Sequence, residues 1–130
     1  MKKTLEFLKS AGVFYLATVD EDQPRVRPFG VVTEFEGKLY ICTANTKACF
    51  RQMINNPKVE ICAFKGNEWI RLAGEVEADV REVARMAVLE DNPHLKSLYA
   101  ADDGFFEVFC FTSGTATFAS FTDESTVEEF

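Results

Sequence analysis

Histidine is almost absent from this 130-residue chain, and its scarcity excludes several kinds of active site. His94 is the only one, and it lies in a proline-led helical stretch far in sequence from the cysteines. A Ser–His–Asp or Cys–His hydrolase needs a histidine as its base, so we do not expect hydrolytic chemistry. No C-x-x-C pair is present, and a zinc site therefore lacks its usual ligand spacing. We expect free, reduced thiols at the four cysteines, which are Cys42, Cys49, Cys62 and Cys110.

Long apolar runs and phosphate-binding glycine loops are also missing. No stretch approaches the roughly 20 apolar residues that cross a membrane, and neither a Walker A nor a G-x-G-x-x-G sequence occurs. Glu6 and Lys9 interrupt any signal-peptide core after the first lysines, so we expect a mature cytoplasmic N-terminus. The length fits one domain, and the 47% of hydrophobic residues suffices for a folded core.

Negative charge predominates, with a formal net charge of −7, which disfavours nucleic acids and anionic membranes as partners. The segment from Arg25 to Lys65 departs from this balance, because it holds seven cations and three anions. A basic segment inside an acidic chain can mark a site for a small phosphate group. The alternative is that these charges are only solvated side chains on strands and loops.

The residue pattern predicts a mainly β structure with inserted helices. β-branched and aromatic alternation predicts strands over residues 13–19, 25–33, 39–43, 58–65, 68–80, 105–112 and 115–121, with a turn at Ser113-Gly114. Helical spacing predicts helices over 4–10, 46–56, 81–90 and 93–99. We expect Thr4 to cap the first helix, and either Asn45 or Thr46 to cap the second.

These elements favour a small antiparallel barrel, because strands dominate and the turns are short. Pro28 lies within a predicted strand, which indicates a sheet edge or a bulge. We expect residues 1–121 to form a single domain and the acidic residues 122–130 to be a frayed tail.

A phosphate site is predicted where the third strand passes into the second helix. The segment from Leu39 to Arg51 places hydroxyl groups, free backbone N–H groups and Lys47 at a helix N-terminus. Such a position binds phosphate through the helix dipole and the hydrogen-bond donors together. Arg25 and Arg27, on the neighbouring strand, can complete a charge-assisted clamp. An aromatic-rich barrel beside this clamp suits a planar phosphorylated ligand, whose identity the composition leaves open.

Several short segments, taken in order, resemble the pyridoxamine 5′-phosphate oxidase-like flavin-binding split barrels. These segments are Ala17-Thr18-Val19, Pro24–Phe29 (PRVRPF), Gly37–Thr43 (GKLYICT), Lys47, Gln52-Met53, Asn55–Glu60 (NNPKVE), Glu68–Arg71 (EWIR) with Gly74, Phe106–Phe109 (FEVF) and Ala116-Thr117. The likeness spans Ala11 to Phe121. It is to the small-protein branch of that family, which is related to the nitroimidazole-resistance proteins.

The resemblance implies a six-stranded antiparallel split β-barrel that forms a homodimer with two FMN sites at its interface. It implies that Lys47 binds the FMN phosphate, helped by Arg25 or Arg27 and by the region of Thr46. The other cofactor-binding positions that it implies are Val26, Pro28, Ile41, Cys42, Thr43 and Gln52, with Trp69 and Arg71 reaching over from the second copy. Arg71 would stabilise the anionic reduced flavin ring.

The activity implied is that of an FMN-dependent oxidoreductase acting on an unknown small molecule, with small aromatic or nitro compounds as one example. The true oxidase holds its vitamin substrate with a C-terminal Arg-x-His element, whereas no arginine follows Arg85 here. We therefore do not expect pyridoxamine phosphate oxidation. Two alternatives stay open. One is a non-catalytic flavin-binding or electron-carrier module, and the other is a relative that binds deazaflavin or, less compatibly with a single histidine, haem.

Overall fold

Eight antiparallel strands form one open sheet in the computed structural model, which describes residues 1–130. The elements are α1 (Lys2–Ala11), β1 (Phe14–Asp20), β2 (Gln23–Phe29), β3 (Thr33–Phe35), β4 (Lys38–Ala44), α2 (Ala48–Asn55), β5 (Lys58–Lys65), β6 (Glu68–Asp79), α3 (Glu82–Asp91), a 3₁₀ helix (Pro93–Ser97), β7 (Phe106–Ser120) and β8 (Thr126–Glu129). The strands pair in the order β2-β1-β5-β6-β7-β4-β3, and β8 pairs with β7. The six longer strands are the predicted split barrel, which β3 and β8 extend.

Two apolar clusters fill the interior. Alternate residues of β6 point inward and are buried, among them Ile70, Leu72 and Val76, and α2 adds Met53 from its apolar face. A second cluster lies under α3 and the 3₁₀ helix, where Val88 and Leu95 belong to it. None of the helices is long and apolar enough to cross a membrane.

The predicted hairpin of the first two strands is confirmed, and it explains the proline. Pro28 pairs with Tyr15 of β1, and β2 has no strand on its other side. Because that edge needs no ladder hydrogen bond, the missing N–H of proline costs little there. The second strand ends at Phe29 instead of continuing to residue 33, and Gly30 begins the connection to β3.

The turn predicted at Ser113-Gly114 is wrong, because β7 runs unbroken through these residues. Gly114 lies opposite Gly74 of β6, and the register shifts by one residue just after Glu75. A Cβ atom on Gly74 would collide with the backbone oxygen of Ser113, so glycine serves a close approach of two strands here. The glycine therefore marks a bulge in a long strand.

The prediction of a frayed C-terminal tail is also wrong. Phe130 exchanges two backbone hydrogen bonds with Gly114, at 2.7 and 2.9 Å, and packs against the larger core cluster. Residues Thr126–Glu129 pair with β7, so this acidic segment is a strand of the sheet.

Thr4 does not cap α1, because Met1 occupies that position and Thr4 lies within the helix. Its side chain is fully buried. The backbone N–H and the hydroxyl of Thr4 both donate to Oε1 of Glu128, the former at 2.9 Å. This residue therefore joins the first helix to the last strand.

Candidate functional site

The guanidinium group of Arg27 is fixed in place by neutral oxygen atoms. Its Nη1 donates to the carbonyl of Leu16 at 3.2 Å and to the hydroxyl of Thr18 at 2.7 Å, while Nη2 donates to Oε1 of Gln52 at 2.7 Å. The Thr18 hydroxyl in turn donates to the same Gln52 oxygen at 2.6 Å. No carboxylate forms an ion pair with this arginine. Its positive charge is thus positioned but not neutralised, which is what an anion site requires.

Arg25 lies two residues earlier on β2 but has a different partner. Its Nε lies 3.3 Å from Oδ2 of Asp20, and both side chains are exposed to solvent. This ion pair neutralises the charge of Arg25. Of the two arginines predicted for the clamp, Arg27 is therefore the one whose surroundings suit a phosphate.

Lys47 begins α2 and is the second uncompensated cation near this place. It is exposed, and no carboxylate lies within ion-pair distance of it. The predicted caps are wrong, because Lys47 itself is the N-cap residue and no side chain caps the helix. The amide of Asn45 donates instead to the carbonyl of Gly104 at 2.8 Å. The first N–H groups of α2 therefore lack a side-chain partner, beside the exposed Thr46.

A groove of about 250 Å³ joins the edge of β2 to the edge of β4. The groove is lined by Pro28, Phe29, Gly30, Val31, Cys42, Thr43, Lys47, Leu95, Leu98, Tyr99 and Phe106. β3 pairs with β4 only as far as Tyr40, so the following residues of β4 have no strand on this side. The groove is the gap that leaves the barrel split, and its walls are mostly apolar.

Of the predicted site residues on β4, Cys42 and Thr43 line the groove and Ile41 does not. Burial raises the pKa of the Cys42 thiol to about 12, although the charge of nearby Lys47 acts in the opposite direction. The thiol is therefore neutral at physiological pH. The predicted site residue Ile41 does not line the groove, because its side chain is fully buried in the core and it pairs with Phe109 of β7. Thr43 is buried, and its hydroxyl lies 3.3 Å from the sulfur of Cys49.

Three of the predicted site residues lie elsewhere, on the outer face of the sheet. Arg71, Cys62, Tyr15 and Pro28 are register partners in one row across β6, β5, β1 and β2. Directly paired residues of an antiparallel sheet point to the same face, so Arg71 shares its face with Pro28. Val26 lies one row away on that face.

Arg71 and Trp69 are engaged by neighbours within the chain. The Nε of Arg71 lies 3.0 Å from Oε2 of Glu60. Trp69 stacks on Phe64 and contacts Phe121, with ring centroids 6.4 and 5.1 Å apart. Within the chain, the groove is lined by Pro28, Cys42, Thr43 and Lys47, while Arg27 is bonded to Gln52 of α2. Val26, Trp69 and Arg71 share the outer face of the sheet with Pro28 but do not line the groove.

Two features of the site were not predicted from the sequence. Thr18 fixes Arg27, and the 3₁₀ helix supplies Leu95, Leu98 and Tyr99 to the groove wall. Thr18 lies opposite Arg25 in the hairpin, and residue alternation puts Arg25 and Arg27 on one face of β2. The hairpin register is therefore the signal that places Thr18 near Arg27. The wall residues come from a segment more than fifty positions away, and no local pattern links them to β4.

Comparison with known proteins supports the architecture described above. The sequence profile of pyridoxamine 5′-phosphate oxidase matches residues 1–112. The crystal structure of a NimC/NimA family protein from Clostridium acetobutylicum has 55% sequence identity and a TM-score of 0.97, covering 100% of this chain and 92% of that one. A search of curated proteins found no match.

Two more distant structures share the fold alone. A pyridoxamine 5′-phosphate oxidase-related, FMN-binding protein from Nostoc punctiforme has 17% identity and a TM-score of 0.63, covering 99% of this chain and 93% of that chain. A haem-binding protein from Mycobacterium smegmatis has 18% identity and a TM-score of 0.69, covering 93% of this chain and 57% of that chain. The profile match, over most of the length, shows that this chain belongs to the pyridoxamine 5′-phosphate oxidase family.

Proposed function

We propose that this protein binds FMN and is a flavin-dependent oxidoreductase acting on a small molecule. The observation that carries the proposal is the pair of uncompensated cations at α2, of which Arg27 is held by Gln52 and Lys47 is the N-cap residue. A phosphate monoester is a dianion that accepts several hydrogen bonds, and guanidinium, ammonium and helix N–H groups are its preferred donors. Gln52 holds Arg27 in a fixed direction, so little conformational entropy is lost when phosphate binds.

The groove between β2 and β4 suits the flavin ring system. Pro28, Phe29 and Val31 offer an apolar wall, and the unpaired edge of β4 offers the backbone N–H and C=O of Cys42, because those of Thr43 face β7. A mostly apolar cleft with a few directed polar groups is the usual form of a cofactor site. When bound, the flavin supplies the redox chemistry, and the protein supplies binding, orientation and exclusion of water.

The related proteins agree with this assignment. The Nostoc relative is an FMN-binding protein, and the Clostridium protein with 55% identity belongs to the NimC/NimA family. The haem-binding relative favours a different cofactor, but His94 here is exposed on the 3₁₀ helix and does not line the groove. Since haem needs an axial ligand, the site favours the flavin.

We also propose a homodimer that completes the site. The outer face of the sheet exposes Tyr15, Val26 and Phe64, which are 51%, 67% and 59% accessible. Exposed apolar surface of this kind is typical of a subunit interface, and a two-fold axis would place the same face on both copies. Trp69 and Arg71 would then reach the partner's flavin, and Arg71 would stabilise the negative charge of the reduced ring.

Four free cysteines suit a reducing compartment, and we place the protein in the cytoplasm.

The first experiment is a visible absorption spectrum of the purified protein before and after addition of FMN and gel filtration. We expect flavin bands to travel with the protein. We then expect NAD(P)H or a similar donor to be oxidised in the presence of a small aromatic acceptor. A flavin-loaded protein without turnover would indicate an electron carrier, and a colourless protein that does not retain FMN would contradict the proposal.

A further inference from the structure

A second cavity, larger than the groove, lies between the β1–β2 turn and the exposed side of α2. Its volume is about 430 Å³, within the roughly 300–1,000 Å³ usual for small-molecule sites. It is lined by Val19, Asp20, Glu21, Ala48, Arg51, Gln52, Asn55 and Asn56. Gln52 belongs both to this cavity and to the network that holds Arg27, so the cavity adjoins the phosphate clamp.

Several polar groups of this cavity have no partner within the chain. The side chains of Arg51, Asn55 and Glu21 make none of the hydrogen bonds or ion pairs found in the structure, whereas Asp20 is held by Arg25 and Asn56 accepts from the N–H of Lys58. Glu21 also has a φ of 58°, a left-handed conformation that is uncommon outside glycine. The two-residue hairpin turn between Asp20 and Gln23 requires this geometry, and it leaves the carboxylate of Glu21 exposed.

The chemistry of these groups matches the three parts of a purine nucleotide. A guanidinium group such as that of Arg51 binds phosphate in a bidentate manner. Carboxylates such as that of Glu21 accept hydrogen bonds from ribose hydroxyls, as in dinucleotide-binding proteins. Side-chain amides such as that of Asn55 can donate to and accept from the edge of adenine. A cavity of this size with only two hydrophobic lining residues suits a polar ligand better than an apolar one.

We propose that this cavity binds an adenylate group. Two sources of adenylate are compatible with its place beside the clamp. One is the AMP half of a flavin adenine dinucleotide, whose flavin phosphate would lie at Arg27 and Lys47, and this source rests on the proposed function. The other is the AMP half of a nicotinamide dinucleotide that donates electrons. The shared chemistry is a phosphate next to Arg51, a ribose and an adenine.

The test is calorimetric titration of the purified protein with AMP, comparing Arg51→Gln with Lys58→Gln. Lys58 is exposed and its side chain makes no hydrogen bond, so Lys58→Gln removes one positive charge without touching the cavity. We expect the wild type to bind AMP, Arg51→Gln to weaken it at least tenfold, and Lys58→Gln to leave it within twofold. Asn55→Ala should reduce the preference for AMP over CMP, because it removes the amide that distinguishes the base. Thermal unfolding of each variant checks that the fold is kept.

Two further titrations separate the sources. FAD that binds at least tenfold more tightly than FMN, with the difference lost in Arg51→Gln, would assign the cavity to the cofactor itself. Equal binding of FAD and FMN, together with displacement of AMP by NADPH, would assign it to the donor. A wild type that does not bind AMP, or an Arg51→Gln variant with unchanged affinity for AMP, FAD and NADPH, would overturn the inference. AMP binding by a protein that ignores FMN would refute the proposed function alone, and FMN binding without AMP binding would refute this inference alone.

Discussion

Arg25 and Arg27 show how partners decide the role of a charged residue. Both are on the same face of β2, and both belong to the basic segment of the sequence. One faces Asp20 and is neutralised at 3.3 Å, while the other is held by the oxygens of Leu16, Thr18 and Gln52. A cation in an ion pair already has an anionic partner, whereas a cation held by neutral oxygens keeps its attraction for an anion.

At the residue scale, Lys47→Ala tests the clamp directly. The substitution removes one charge-assisted phosphate contact, which contributes about 1.5–3 kcal/mol. We expect the affinity for FMN to fall about ten- to a hundredfold, measured by quenching of flavin fluorescence. Lys58→Ala is the matched control and should leave the affinity unchanged. If Lys47→Ala also binds FMN as the wild type does, the phosphate is bound elsewhere.

At the scale of single elements, the crossing of β6 and β7 depends on two glycines. A Cβ on Gly74 would meet the backbone oxygen of Ser113, which cannot move without disturbing the ladder, whereas a Cβ on Gly114 would meet the ring of Phe130 at 2.7 Å. A side chain at the end of the molecule can shift more easily than a strand backbone. The two positions therefore differ in their tolerance of a methyl group, although both lie in strands.

Gly74→Ala is expected to lower the free energy of unfolding by about 1–3 kcal/mol, the usual cost of overpacking. Chemical denaturation of the wild type and the variant measures this difference. Gly30→Ala is the control, because a Cβ there meets only the oxygen of Gly12 at 3.7 Å, an ordinary contact. Equal stability of the Gly74→Ala variant and the wild type would show that the two strands separate freely at this crossing.

The link between β8 and α1 is sensitive to pH through Glu128. Burial tends to raise the pKa of this carboxyl, but hydrogen bonds from Thr4, Lys3 and the amino group of Met1 lower it to about 2, from an ordinary value of 4.5. Because the folded-state pKa is depressed, the stabilisation is complete above about pH 4.5 and is lost as the pH falls toward 2. The carboxylate is only 23% exposed, so solvent screens it little.

Glu128→Gln should therefore lower the free energy of unfolding by about 1–3 kcal/mol at pH 7, through the loss of charged hydrogen bonds. We expect the difference from the wild type to shrink between pH 5 and pH 2.5 in urea unfolding. Glu129→Gln changes an exposed neighbour whose side chain makes no hydrogen bond or ion pair, and it should have no effect. A Glu128→Gln effect that is as large at pH 3 as at pH 7 would show that packing, not charge, holds the two elements together.

Local sequence patterns predicted most elements, and the failures have physical causes. The alternation along β6 is enough to predict a long strand, and the position of Pro28 is enough to indicate a sheet edge. Both features depend only on residues that are neighbours in the sequence. Glycine is equally typical of turns and of close strand approach, so the sequence alone does not distinguish a turn at Gly114 from the bulge in β7. The strand-to-helix transition in the sequence predicts that Lys47 lies at a helix N-terminus. The ion pair of Arg25 with Asp20 depends on a turn conformation that residue spacing does not reveal.

At the scale of the whole molecule, the outer sheet face is the surface whose role matters most. Val26→Glu places a charge on a 67% exposed apolar position of the proposed interface, on the edge strand β2. We expect light scattering to show a wild-type mass of twice 14.7 kDa and a monomeric mass for the variant, together with reduced retention of FMN. Val83→Glu, on an exposed position of α3, should remain dimeric. A monomeric wild type that binds FMN would remove the need for a second copy.

The strand order has a consequence for folding during synthesis on the ribosome. β4 lies between β3 and β7, so its partner on one side is made immediately before it and its partner on the other side is among the last segments translated. Tyr40 and Ile41, both fully buried in the finished protein, pair with Cys110 and Phe109 of β7, so their burial is incomplete until that strand is made. We therefore expect a nascent chain halted before β7 to expose these side chains and to need a chaperone, since pairings between distant segments form slowly.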